Sequence, residues 1–155
     1  MKGIDISEFQ QNVDYLKLKA EGIDFAIIRI GYGRYYKDIE FEEHYAGLKR
    51  AGIKVGVYLY SYANTTKKAK EEAEFCLEIL ENRELDLPVF YDVEDVSLYT
   101  QIMTETCKVF CETIEKAGYT AGVYANLYWF NNFIKVDELL KYKIWFSQWN
   151  VPGCP

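Results

Sequence analysis

The sequence predicts an α/β fold in which a parallel sheet is wrapped by helices, in the manner of a (β/α) barrel. Three observations predict it. Strand-like and helix-like segments alternate with short connections, and Gly22, Gly52 and Gly118 follow helical stretches, the pattern of right-handed β–α–β crossovers. A strand such as Phe25-Ala26-Ile27-Ile28-Arg29-Ile30 is nearly continuous in apolar residues, as strands covered on both faces are. The polar residues Asp5, Tyr62, Asp92, Glu94, Asn126 and Gln148 fall at the C-terminal ends of strands, where (β/α) barrels form their active sites.

Each element follows from its own pattern. Gly3-Ile4-Asp5-Ile6-Ser7 opens as a strand, with Asp5 alternating against Ile4 and Ile6. An acid there marks a cleft or a buried hydrogen-bond anchor. Residues 13–20 read as a helix with Leu16 and Ala20 on one side, and residues 25–33 as a buried strand. Arg29 inside that strand is expected to pair with an internal carboxylate. A polar loop leads to an amphipathic helix over 42–51, where His44 reads as a surface residue. Residues 54–62 form the third strand, with Tyr58, Tyr60 and Tyr62 on one face. They fit a core, and the outermost also fit a platform for a sugar ring.

A long helix over 66–80, rich in Lys and Glu, runs through a link at 81–86 into the stretch that organises the chain. Leu87-Pro88-Val89-Phe90-Tyr91-Asp92-Val93-Glu94-Asp95 begins as a buried strand and ends in three acids within four positions. A buried carboxylate costs several kcal/mol unless paired, hydrogen-bonded or protonated, so such a strand delivers its acids to a cleft. Strand alternation places Asp92 and Glu94 on one face with Phe90, about 6–7 Å apart. Two carboxyls so placed can act on one bond. An acidic first turn of the next helix is the plainer alternative.

The remaining chain repeats the alternation. A helix runs from Thr104, or from nearer Thr100, to residue 117, and a strand covers 119–126. Aromatic or helical turns follow at 127–133 and 137–141. A last strand covers 143–149, and 152–155 form an irregular tail. No G-x-G-x-x-G or Walker sequence follows any strand, which leaves a nucleotide-binding reading without support.

Composition narrows the partners. The 155 residues suit one domain spanning 1–155, large enough to bury a core. A formal charge of −6 without a basic cluster argues against nucleic acid. No apolar run has the length of a membrane span, so membrane insertion is not expected. Met1-Lys2 leads directly into a strand with no signal peptide. The expectation is cytoplasmic synthesis with later release, or an export segment already removed. Cys76, Cys107, Cys111 and Cys154 lack the C-x-x-C spacing of zinc sites, and Cys107 and Cys111 lie four apart on a helix. They read as buried or half-buried free thiols, with no metal and no cofactor expected.

Taken together, Gly3-Ile4-Asp5-Ile6-Ser7, Tyr91-Asp92-Val93-Glu94, Gly56-Val57-Tyr58, Gly122-Val123-Tyr124 and Trp145-Phe146-Ser147-Gln148-Trp149 resemble glycoside hydrolase family 25. These are the Chalaropsis-type lysozymes of phage endolysins and bacterial autolysins. The resemblance runs in order through the whole chain. It implies a flattened, irregular (β/α) TIM-like barrel that hydrolyses the β-1,4 bond between N-acetylmuramic acid and N-acetylglucosamine in cell-wall peptidoglycan. It further implies Glu94 as general acid/base with a raised pKa, Asp92 as the carboxylate that assists the substrate's own 2-acetamido group, and Asp5 as a third catalytic acid. Tyr62, Tyr124, Trp145 and Gln148 would bind substrate. Family domains continue into two more short strands, the last with an aspartate in a Val-Asp-x-Asn context, and no such segment precedes Pro155. The barrel is therefore expected to be incomplete at its C-terminus. The chain would be a shortened piece, a natural short variant, or one part completed by a second chain or segment.

Two rival readings stand beside this one. A chitinase-like or acetylglucosaminidase-like barrel also uses an acetamido-assisted D-x-E strand, but Leu87-Pro88-Val89-Phe90 lacks the longer acidic motif expected there. A non-catalytic wall-binding or assembly module would keep the groove without turnover, against which the intact Asp5, Asp92 and Glu94 argue.

Overall fold

A computed structural model of the protein describes residues 1–98 and 103–148. Its strands are β1 (Gly3–Ile6), β2 (Phe25–Tyr32), β3 (Tyr36–Lys37), β4 (Lys54–Tyr60), β5 (Val89–Asp92), β6 (Ala121–Asn126) and β7 (Lys143–Ser147). They lie in the order β1-β2-β4-β5-β6-β7 with every neighbour parallel, while β3 folds back antiparallel on β2. In a flat sheet β1 and β7 would stand about 24 Å apart, five strand spacings. Yet Asp5 of β1 and Trp145 of β7 line one small cavity. The sheet therefore curls into a half-barrel, and among the described residues β1 and β7 each keep an unpaired edge.

The helices are α1 (Tyr15–Ala20), α2 (Phe41–Arg50), α3 (Thr66–Leu80), α4 (Met103–Lys116) and α5 (Leu127–Asn132). The starts of α1, α3 and α5 are set by side-chain caps, in which a short polar side chain accepts an otherwise orphaned N–H. Asp14 accepts from Lys17 N–H and so begins α1 at Tyr15 rather than at Val13. Thr65 caps α3, and Asn126 caps α5 by accepting from Tyr128 and Trp129. No helix of the described residues is long and apolar enough to cross a membrane.

Alternation along the strands divides the sheet into two faces. Ile28, Val57, Leu59, Val89, Tyr91 and Val123 are buried on the convex face against the helices. There Tyr91 stacks on Phe110 of α4, ring centroids 3.9 Å apart. The free thiols of Cys76, Cys107 and Cys111 are buried in the same layer, and burial pushes each thiol up. Cys154 lies outside the described residues.

The concave face is aromatic and charged, and glycines give it depth. A Cβ on Gly122 would stand 2.6 Å from the Phe90 ring and 2.7 Å from the Lys143 carbonyl. Gly122→Ala should therefore destabilise the fold by about 1–3 kcal/mol, as overpacking does. Chemical denaturation of the two proteins measures this.

Arg29 pairs with internal carboxylates, as its place in a buried strand requires. Its Nε donates to Asp38 at 2.8 Å and its Nη2 meets Glu8 at 2.7 Å. His44 corrects the sequence reading. It is 1% exposed, its Nε2 stands 3.0 Å from the Ser7 carbonyl, and its Nδ1 lies 2.9 Å from the Tyr15 hydroxyl. Because a carbonyl only accepts, Nε2 carries the hydrogen. His44 ties α2 to the end of β1.

Strand ends differ from the alternation pattern where side chains take over from the ladder. After β4, Ser61 N–H still donates to the Asp92 carbonyl, but Tyr62 N–H turns from the ladder to the Glu72 side chain. β5 covers four residues and ends at Asp92, so Glu94 stands beyond the strand rather than on it. β6 begins at Ala121, two residues later than the pattern suggests, and β7 ends at Ser147. Trp149 and the tail 152–155 lie outside the described residues.

Candidate active site

The site forms where β1, β4, β5, β6 and β7 converge at their C-terminal ends. Register explains which side chains meet. Asp92 pairs with Tyr60 on one side and Tyr124 on the other, and Tyr124 pairs with Trp145. Paired residues of parallel strands share a face, so the acid is flanked by tyrosines. Asp5, Tyr58, Asp92, Tyr124 and Trp145 line a cavity of about 120 Å³. Trp145 is its aromatic centre. Its ring lies 4.6 Å from Tyr124, 5.2 Å from Phe90 and 6.5 Å from Tyr58.

The two acids of the D-x-E segment sit in different surroundings. Asp92 is 6% exposed, and its Oδ1 has no hydrogen-bond partner among the described residues. Burial raises its pKa well above the usual carboxylate range. The charges of Glu94 and, less strongly, Asp5 push the same way, against the Glu94 backbone N–H and Arg29. Glu94 is half-buried, and the Asn126 backbone N–H donates to its Oε1 at 2.7 Å. Asn126 thus caps α5 with its side chain and holds Glu94 with its backbone. Two carboxyls in unlike environments, one buried without a partner for Oδ1 among the described residues and one half-buried on a backbone N–H, are an arrangement that acid–base chemistry uses.

The tyrosines feel the same charges. Burial, with the carboxylates of Glu94, Asp92 and Asp5 added, pushes Tyr124 up to about 12, and its hydroxyl donates to Ser147 Oγ at 3.1 Å. Tyr58 is raised as well, chiefly by burial. Both remain neutral donors at physiological pH.

Asp5, Asp92, Tyr124 and Trp145 therefore meet at one cavity, with Glu94 adjoining. Tyr62 does not line it. That ring is 46% exposed and packs edge-on against Tyr60 and Tyr32, 5.4 and 6.0 Å away. Gln148 is exposed just past β7 and also lies outside the lining. Tyr58 is the residue that the sequence reading passed over. Of the three tyrosines on the β4 face, the innermost rather than the outermost reaches the acids. The signal was its register, two positions before the strand end, opposite Phe90.

Comparison with known proteins shows the family to which this fold belongs. The family model described as Glycosyl hydrolases family 25 matches residues 4–153. The autolytic lysozyme of Clostridium acetobutylicum is 31% identical over 155 residues, covering 97% of this chain and 46% of its own length. The modular autolysin LytC of Streptococcus pneumoniae, solved in complex with a synthetic peptidoglycan ligand, superposes with a TM-score of 0.83 at 28% identity. That match covers 96% of this chain and 37% of LytC. The CTP1L endolysin superposes with a TM-score of 0.84 at 25% identity, over 96% of this chain and 53% of its own. The chain thus spans about half or less of the length of these relatives.

Proposed function

The chain belongs to glycosyl hydrolases family 25, and from that premise we propose that it is a peptidoglycan hydrolase of the lysozyme type. In this reading residues 1–155 act as one catalytic domain on the bacterial cell wall. They cleave the β-1,4 bond between N-acetylmuramic acid and N-acetylglucosamine. One observation carries the reading: a buried Asp92 and a half-buried Glu94 adjoin at the end of β5, beside Asp5 and an aromatic wall built on Trp145. The peptidoglycan ligand of LytC and the lysozyme and endolysin names of the relatives support the substrate class.

Glu94 protonates the leaving glycosidic oxygen and then activates water. The Asn126 N–H engages Oε1, so Oε2 is the oxygen that presents the proton. Asp92 assists the substrate's 2-acetamido group as it attacks the anomeric carbon. The unpartnered Oδ1 is the acceptor for the acetamido N–H. Such substrate assistance departs from the two-carboxylate scheme, so the spacing of the acids does not dictate the stereochemistry. Asp5 supports the sugar from β1, and Tyr124, Trp145, Tyr62 and Gln148 bind the glycan. The edges of β1 and β7 that are unpaired among the described residues are where a second chain or segment would complete the barrel.

Digestion of purified peptidoglycan, with mass spectrometry of borohydride-reduced products, tests the reading. Muramitol ends would support it. N-acetylglucosaminitol ends would reassign the chain to an acetylglucosaminidase or chitinase-like activity. A folded chain that produced no new reducing ends would be a wall-binding module. Trp145→Ala should raise the Michaelis constant for soluble glycan strands about fivefold or more, since a stacked aromatic contributes about 1 kcal/mol beyond its buried area. Steady-state kinetics on soluble strands would show it.

A further inference from the structure

Behind the sheet, on the face away from the cavity, Glu72 of α3 is 1% exposed in a helix otherwise dressed with solvated Lys and Glu. A buried carboxylate is retained only where partners satisfy it, and Glu72 has three. Its Oε2 accepts from the Tyr91 hydroxyl at 2.6 Å and from the Ser61 hydroxyl at 2.8 Å. Its Oε1 accepts from the Tyr62 backbone N–H at 2.9 Å. Ser61 and Tyr91 also contact each other at 2.8 Å, and Ser61 Oγ accepts from Ala63 N–H.

These partners are the residues that bracket the D-x-E segment. Tyr91 immediately precedes Asp92 on β5. Ser61 N–H donates to the Asp92 carbonyl at 2.8 Å. One side chain therefore fixes Asp92 twice, through the ring of the residue before it and through the residue that holds its carbonyl. From this geometry we propose that Glu72 is a positioning residue for the catalytic pair, acting through Tyr91 and Ser61 without touching substrate. The proposal rests on the hydrolase reading above.

The chemistry of the node indicates the variants. Glu72→Gln keeps the shape but offers one acceptor oxygen where the node needs two, so either the hydroxyls or the Tyr62 N–H lose their acceptor. Tyr91→Phe removes one hydroxyl and keeps the ring stacked on Phe110. Displacement of a catalytic group by an ångström or less costs up to about 100-fold in rate. Both variants should therefore remain folded by circular dichroism and lower kcat on soluble glycan strands by about 10- to 100-fold, with KM within about twofold of wild type. A kcat within about twofold of wild type in either folded variant would overturn the proposal. So would a rise in KM alone, which would make Glu72 a support for Tyr62 and binding, and so would loss of folding in both, which would make the node structural only. A wild-type chain that releases no reducing ends would overturn the hydrolase reading itself. An active wild type with unaltered variants would overturn only the positioning role.

Discussion

Replacing Glu94 by Gln is expected to lower peptidoglycan turnover by about 10²- to 10⁴-fold, the range that general acid–base catalysis contributes. The amide keeps the shape of the acid, and its oxygen still accepts from the Asn126 N–H that holds Oε1 in the wild type. Fold and saccharide binding should therefore survive. What is lost is the transferable proton. Thermal unfolding and binding of a soluble glycan strand, measured beside turnover, separate these effects. Near-wild-type turnover would remove Glu94 from the acid role and move attention to Asp92.

Asp92→Asn is expected to do two opposite things. Turnover should fall sharply, because the carboxyl proposed to assist the acetamido group becomes an amide. Stability should rise at neutral pH. Burial raises the Asp92 pKa in the folded protein above the unfolded value. Below the ordinary carboxylate range the acid is protonated in both states and costs nothing. As pH climbs through the folded pKa, the unfolded chain has already released its proton while the folded chain is forced to ionise a buried group, so stability is lost. Asparagine has no such loss. The variant should gain about 1 kcal/mol at pH 7, or roughly 2–4 °C in Tm for a domain of this size. The gain should shrink toward zero as pH falls to the unfolded carboxylate range. A variant equally destabilised at every pH would show that Asp92 is an ordinary buried anchor. Greater stability without activity would mark the acid as a group held in place at the expense of the fold.

Features written in local periodicity were legible before any coordinates. The β–α alternation, the glycines after helices and the acids at strand ends needed only neighbours within a few positions, and they put Asp5 and Asp92 at the end of the sheet where the cavity lies. Tyr124 and Trp145, which share that cavity, were named only through the family resemblance. Features set by distant partners were not legible. His44 lies four residues into an amphipathic helix, and its burial depends on Tyr15 and Ser7, 29 and 37 positions away. Glu72 looks like any solvated glutamate of α3 until Tyr91 of β5 and Ser61, just past β4, meet it. The two-residue β3 is too short for a periodic signal, although it brings Tyr36 to Glu8 at 2.5 Å. Glu94 was read by strand alternation, but β5 ends before reaching it. The hydrogen bond from Asn126, 32 positions on, sets its place instead.

β5 sits in the interior of the sheet, paired along both sides by β4 and β6. The lacing continues past its last residue, since Val93 N–H donates to the Tyr124 carbonyl and the Asp92 carbonyl accepts from Ser61. A backbone held on both flanks opens only with the whole structure, not by local fluctuation. Asp92 at its end is consequently held in place before any ligand arrives, and in the proposed reaction it would need no reorganisation as the bond breaks. If the proposed hydrolysis takes place here, the conformational work of reaching the transition state would fall on the pyranose ring, drawn from affinity for neighbouring sugars.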